Sequence, residues 1–115
     1  MPKRLAAVDD ALRYVSVFCE NRVPVEARDE VRIECAARGS AITIVERRPP
    51  FSALVGPDWT TMKIAQLRFD QTTGDWTLYA ADRNERWFLH DVDPARDVGP
   101  LLAEIGDDPT GIFWG

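Results

Sequence analysis

Apolar residues open the chain at the three- and four-residue spacing of an amphipathic helix. One helical face would carry Leu5, Val8, Leu12, Val15 and Cys19. Most of the charged residues between them fall elsewhere on the helix. Pro24 predicts the end of this element, because the residue before a proline is biased away from helical angles.

From Val31 to His90 the pattern changes to the alternation of apolar and polar residues that is typical of half-buried strands. Five strands are predicted, over residues 31–35, 41–46, 65–70, 76–81 and 86–90. A loop from Pro49 to Thr61, with no clear periodicity, separates the second strand from the third. The other links have the length of hairpin turns.

The last predicted element is a helix with Val98, Leu101, Leu102 and Ile105 on one face and Gly106 as its C-terminal cap. Short strands joined by hairpins favour an antiparallel β-meander of about five strands. With an N-terminal and a C-terminal α-helix packed on it, the fold class is α+β. The length of 115 residues suits a single domain over residues 1–115.

The alternation between Ala65 and His90 assigns the side chains to two faces of the sheet. The inward set is Leu67, Phe69, Trp76, Leu78, Trp87 and Leu89. The outward set is Arg68, Thr77, Tyr79, Arg86, Phe88 and His90, joined by Arg47 if the preceding strand keeps its alternation. Such a face can hold an anion through arginine and stack a ring on Tyr79 or Phe88. The alternatives are a merely solvated face and a face covered by the first helix.

A non-catalytic binding module is the function that this pattern favours. Its predicted ligand-binding residues are Arg68, Tyr79, Arg86, Arg83, Asn84 and His90, bordered by the loop from Phe51 to Trp59. The formal net charge of −5 arises in residues 91–115, while residues 1–90 sum to zero. This balance disfavours duplex nucleic acid, which needs several basic contacts, and leaves a protein or a small anionic ligand as the expected partner.

Catalysis has weaker support in the sequence. A metal-independent ribonuclease is the enzymatic alternative, since Arg, Tyr and His can cleave RNA, but His90 is the only histidine. No metal is expected, because His90, Asp91 and Asp93 do not complete a zinc site. No cofactor is expected either, because the glycines form no phosphate loop or dinucleotide motif. The sequence therefore does not decide whether the protein is an enzyme, but it favours a protein without catalytic activity.

The two cysteines lie on predicted apolar stripes, where burial would raise the pKa of each thiol and suppress nucleophilic catalysis. We expect Cys19 and Cys35 to be reduced, with a Cys19–Cys35 disulfide as the alternative.

The chain ends in Ile112-Phe113-Trp114-Gly115, although chain ends are normally polar. We expect this segment to fold back onto the sheet or the helix seam. In the alternative, an exposed apolar patch binds a partner or a second copy, which makes the protein a structural or oligomerising subunit. The residues of that patch would be Phe51, Trp59, Phe113 and Trp114.

The second half of the chain also resembles a known family. The matching residues are Ile64-Ala65, Trp76-Thr77-Leu78-Tyr79, Arg86-Trp87 and the terminal Gly111-Ile112-Phe113-Trp114-Gly115, with Leu101-Leu102 and Asp108 between them. Over roughly residues 63–115 they resemble a bacterial family known as domain of unknown function 3024. The resemblance implies a small intracellular bacterial protein without an assigned activity, and it supplies no site residues.

A cytoplasmic location also fits the chain, which has no apolar run of membrane-spanning length and no secretory signal.

Overall fold

The computed structural model describes residues 6–50, 52, 54 and 56–115. The first helix, α1, spans Ala6–Arg22 and buries Val8, Ala11, Val15 and Cys19 at helical spacing. This confirms the predicted helix, although Leu5 lies outside the described residues. A single 3-10 turn, Val25–Ala27, follows Pro24. Among the described helices, none is long and apolar enough to cross a membrane.

Five strands follow α1 and form one antiparallel sheet in chain order, as predicted. They are β1 (Arg32–Arg38), β2 (Ala41–Arg48), β3 (Thr60–Asp70), β4 (Asp75–Ala81) and β5 (Trp87–Leu89). The third strand begins before the predicted Ala65, because residues 60–63 pair with the end of β2. The register shifts between Ile44 and Val45, which leaves Ile64 as the extra residue of a β-bulge.

The C-terminal helix, α2, spans Gly99–Asp107 and buries Leu101, Leu102 and Ile105. Its cap is not the predicted Gly106. Asp108 takes the left-handed conformation instead, with φ 44°. The side chain of Asp108 explains this choice, because its carboxylate accepts the backbone N–H groups of Phe113 and Trp114 at 3.0 and 2.8 Å. The helix end and the chain end are therefore held by one residue.

Both helices pack on the same face of the sheet, which gives an α+β fold of two layers. The buried core combines α1 and α2 with residues from β2, β3 and β4, among them Ile42, Ile44, Leu67 and Leu78. No helix in the described part of the chain packs on the opposite side of the sheet, which we call the outer face. By strand register, the outer face carries Arg32, Glu34, Ala36, Arg38, Ala41, Thr43, Val45, Arg47, Thr61, Lys63, Gln66, Arg68, Asp70, Asp75, Thr77, Tyr79, Ala81, Trp87 and Leu89.

The fifth strand has the opposite face assignment from the predicted one. Tyr79 is paired with Leu89 and Ala81 with Trp87, and residues directly opposite each other point to the same side. The predicted assignment of Trp87 and Leu89 to the inner face is therefore wrong. Phe88 and His90 were likewise predicted to point outward, and they lie on the helix-covered side.

Loop length explains the reversal. The backbone N–H of Asp82 donates to the carbonyl of Arg86, so only three residues form the loop of this hairpin. The predicted turn had four residues, and a change of one residue moves every later side chain to the other face. Three-residue loops usually place glycine at their left-handed position, but here Glu85 occupies it with φ 60°. The sequence therefore gives no signal for this loop type.

Candidate functional site

Arg68 lies on the outer face, where two neighbours, Tyr79 and Gln66, fix its position. Its guanidinium stacks on the ring of Tyr79, with Cζ 3.7 Å from the ring centroid. Its Nε donates a 2.7 Å hydrogen bond to the side-chain oxygen of Gln66, whose amide donates to Thr43 at 3.0 Å. Strand register causes this arrangement, because Gln66 is directly opposite both Thr43 and Tyr79. The prediction that Arg68 and Tyr79 share a face is confirmed.

This geometry prepares Arg68 to bind an anion. Among the described residues, its two terminal amino groups have no hydrogen-bond or ion-pair partner, so they remain available to a carboxylate or a phosphate. A planar guanidinium binds such groups through two parallel hydrogen bonds. Because Tyr79 and Gln66 already restrict the rotamer of the side chain, less entropy is lost when the anion binds.

Two further cations lie against rings around the outer face. The Nζ of Lys63 is 5.5 Å from the ring centroid of Trp87, and the Cζ of Arg32 is 4.4 Å from that of Trp59. The expected position of Arg47 is also confirmed, since it is paired with Arg32 on this face. Its amino group lies 3.6 Å from the carboxylate of Glu34, while its Nε is buried and has no hydrogen-bond partner among the described residues.

The outer face differs in charge from the chain as a whole. It carries five basic side chains and three acidic ones, a net charge of +2, whereas the chain carries −5. The basic residues are Arg32, Arg38, Arg47, Lys63 and Arg68, and the acidic ones are Glu34, Asp70 and Asp75. The excess negative charge of the protein therefore lies away from this face.

The β4–β5 loop holds three of the predicted ligand-binding residues, and the structure does not bring them to Arg68. Arg86 forms an ion pair with Asp82 at 3.5 Å. Because it is paired with Asp82, it belongs to the residues that alternate toward the helix-covered face of the sheet. Arg83 and Asn84 occupy the loop itself. Ala81, the last residue of β4, lies roughly 13 Å along that strand from Thr77, the residue opposite Arg68, and the loop lies beyond it. The predicted grouping of Arg68 with Arg86 is therefore wrong.

Asp82 organises this loop. Its carboxylate accepts the backbone N–H groups of Arg86 and Asn84 at 2.9 and 2.8 Å. These hydrogen bonds, that of Arg86 first, hold the pKa of Asp82 below its usual range. The side chain of Arg86 thus completes a local structural motif.

His90 lies inside the protein. It is 7% exposed, its Nε2 is 2.8 Å from the carboxylate of Glu104 on α2, and its ring meets the edge of Phe113 at 5.0 Å. The prediction that it joins the arginine face is wrong. The ribonuclease alternative needs His90 and Tyr79 at one ligand, and these residues lie on opposite faces of the sheet.

The aromatic residues at the chain end are part of the fold. Phe113 is 4% exposed, and Trp114 donates its indole N–H to the carbonyl of Ile105 at 2.8 Å. Arg22 covers the Trp114 ring at 4.3 Å. The predicted folding back of the tail is confirmed, and the alternative role of Phe113 in an exposed patch is wrong. Phe51, a further candidate for that patch, lies outside the described residues.

Cys19 of α1 and Cys35 of β1 lie side by side as free thiols. The hydrogen bond that its thiol donates to Cys35, together with burial, raises the pKa of Cys19, as expected for a buried cysteine. Cys35 departs from the expectation. Hydrogen bonds from Cys19 and from Ser16, whose Oγ is 3.4 Å away, lower its pKa despite partial burial. The predicted direction is therefore wrong for Cys35, because strand periodicity does not reveal the partners on α1.

Gln66 and Thr43 belong to the site and were not singled out in the sequence. The only available signal was their outward position in neighbouring strands, which many solvated residues share. In the described part of the chain, no group of three or more His, Cys, Asp or Glu residues is arranged to hold a metal ion.

The family assignment extends the resemblance seen in the sequence. The model of a family described as domain of unknown function (DUF3024) matches residues 5–115. It thus includes α1, β1 and β2, which precede the residues that carry the resemblance in the sequence. No curated protein and no solved structure matches the chain. The chain therefore belongs to the DUF3024 family.

Proposed function

We propose that this protein is a non-catalytic binding module whose outer face recognises an acidic segment of a protein partner. The observation that supports this proposal most directly is the position and hydrogen bonding of the Arg68 guanidinium. Tyr79 and Gln66 hold its guanidinium, and its terminal amino groups have no partner among the described residues. A carboxylate of the partner would accept a hydrogen bond from each of these amino groups.

The shape of the outer face favours an extended partner over a small molecule. A cleft of about 760 Å³ lies at the end of the sheet beside the C-terminal segment and not around Arg68. The cleft formed by Arg32, Glu34, Arg47 and Trp59 has a volume of only about 80 Å³. Pockets for small ligands are usually several hundred Å³ in volume and concave.

Charge favours a short acidic segment over a nucleic acid. A net charge of +2 is enough to attract a few carboxylates, but affinity for a long polyanion requires many basic contacts. We place this module in the bacterial cytoplasm, a setting that free thiols at Cys19 and Cys35 support.

The test is binding of a fluorescently labelled oligoglutamate peptide, followed by anisotropy at low salt. Arg68→Ala is expected to weaken binding by about tenfold or more, because charge-assisted hydrogen bonds contribute about 1.5–3 kcal/mol each. Arg68→Ala should still fold, since the half-buried cation–π pair with Tyr79 and the hydrogen bond to Gln66 contribute about 1 kcal/mol each, and circular dichroism before the titration checks this.

Arg38→Ala is the matched control, because Arg38 lies on the same face and, in the part of the chain that the structure describes, no ring or side-chain amide holds it. It removes the same charge and is expected to weaken peptide binding by less than about threefold. Equal losses of peptide affinity in Arg68→Ala and Arg38→Ala would contradict a specific role for the Arg68 guanidinium. Tighter binding of a single-stranded RNA oligonucleotide than of the peptide would overturn the choice of an acidic protein partner.

A further inference from the structure

A second candidate site lies between α1 and the edge strand β1, away from the outer face. It is an open cleft of about 320 Å³ lined by Ser16, Cys19, Glu20, Ile33, Glu34 and Cys35. Both cysteines of the chain line this cleft. Cys19 is buried, whereas Cys35 is partly exposed.

The two sulfur atoms have different surroundings. The Sγ of Cys35 lies 3.4 Å from the Ser16 hydroxyl, and hydrogen bonding by this hydroxyl and by the Cys19 thiol favours negative charge on its sulfur, which lowers the pKa of Cys35. The Cys19 thiol acts as a hydrogen-bond donor to Cys35, and burial disfavours its ionised form. Cys19 therefore keeps its proton. The more exposed sulfur is thus the one that ionises more readily, and the protonated thiol lines the same cleft.

We propose that Cys19 and Cys35 form a peroxide-reactive dithiol, in which Cys35 attacks the oxidant and Cys19 then closes a disulfide. This proposal does not depend on the binding function of the outer face.

The reaction balances in two steps. In the first, the Cys35 thiolate attacks hydrogen peroxide; a sulfur–oxygen bond forms, the peroxide bond breaks, and hydroxide leaves and is protonated by solvent. The sulfur loses two electrons and the peroxide gains them. In the second, the Cys19 sulfur attacks the sulfenic acid of Cys35, its proton passes to the departing hydroxyl, and water leaves as the disulfide forms. Two thiols and one peroxide therefore give one disulfide and two waters.

The rim of the cleft selects among oxidants. Glu20 and Glu34 both line it, and both act against negative charge at Cys35. Anionic disulfides would meet the same repulsion, whereas hydrogen peroxide is neutral and small enough to enter. Arg28 and Arg32 lie in the adjoining cleft with Cys19, Glu20 and Glu34 and partly offset this acidic charge.

The experiment treats the reduced, full-length protein with hydrogen peroxide at neutral pH and follows intact mass after alkylation. The wild-type chain is expected to lose about two mass units as an intramolecular disulfide forms. Oxidation should be at least about threefold faster than in the urea-unfolded chain, since a larger thiolate fraction outweighs the lower nucleophilicity of a more acidic thiol.

The variants separate the two roles. Cys19→Ser should accumulate a sulfenic acid at Cys35 that dimedone traps, and Cys35→Ser should leave Cys19 as a thiol. Cys19→Ala tests the same prediction if the buried serine impairs folding. Ser16→Ala should slow the first step, because it removes one hydrogen bond to the Cys35 sulfur. The proposal is overturned if folding does not accelerate oxidation, if dimedone labels Cys19 first, or if only intermolecular disulfides form.

Discussion

Replacement of Phe113 by alanine is expected to lower the free energy of unfolding by about 3–5 kcal/mol, the usual cost of removing a buried aromatic ring. The ring is 4% exposed and belongs to the core that joins α1, α2 and the sheet. It also packs against His90, whose imidazole pairs with Glu104 on α2. Urea denaturation followed by circular dichroism measures this loss.

Ile112→Ala is the control for this prediction. Ile112 is the neighbour of Phe113 in the chain but is 39% exposed, so its truncation should cost about 1 kcal/mol or less. Similar losses in the two variants would mean that the C-terminal segment is not packed as described. The contrast therefore tests whether the chain end folds back with Phe113 in the core.

Truncation of Leu78 is expected to destabilise the protein by about 2–5 kcal/mol, and truncation of Leu89 by about 0.5 kcal/mol. Leu78 is 0% exposed in the core, whereas Leu89 is 58% exposed on the outer face. The two leucines lie on adjacent strands and undergo the same substitution to alanine. Their difference in unfolding free energy consequently reports the register between β4 and β5.

A large loss in both variants would contradict the three-residue loop between β4 and β5. It would support the alternation predicted from the sequence, in which Leu78 and Leu89 share the inner face. Thermal melts at one protein concentration are sufficient, because the expected difference exceeds about 1.5 kcal/mol and shifts Tm by several degrees.

Periodicity was sufficient to predict the elements that bury one continuous stripe. Val8, Val15 and Cys19 define α1 by spacing alone, and Leu67, Trp76 and Leu78 define the inner side of the central hairpin. These positions are predictable because burial of apolar side chains dominates their free energy. The same alternation correctly placed Arg68 and Tyr79 together on the outer face.

The reversed face of β5 was not predictable, since it depends on one residue in the connecting loop. Glu85 adopts a backbone conformation that usually calls for glycine or asparagine, and Asp82 compensates through hydrogen bonds across the loop. The cap of α2 by Asp108 was missed for a similar reason. Its carboxylate bonds to Phe113 and Trp114, contacts that exist only once the tail has folded back.

Part of the candidate site was also beyond the sequence. The hydrogen bonds of Gln66 to Arg68 and Thr43 require the register of three strands, which alternation within a single strand does not give. The lowered pKa of Cys35 likewise depends on Ser16 and Cys19 of α1. Contacts between segments that are distant in the sequence can be predicted only when the packing of those segments is known. The face on which a side chain lies can be predicted from alternation within its own strand.

The most direct test of the proposed outer-face function is a nuclear magnetic resonance titration of the arginine Nε–Hε groups in isotope-labelled protein. Without ligand, the Arg68 signal should exchange slowly with water, because its Nε donates to Gln66, while Arg38 and Arg83 exchange rapidly. On addition of oligoglutamate, the Arg68 signal should move more than those of Arg86 and Arg83. A rapidly exchanging Arg68 signal that stays in place while the Arg86 signal moves would contradict an anion anchor at Arg68.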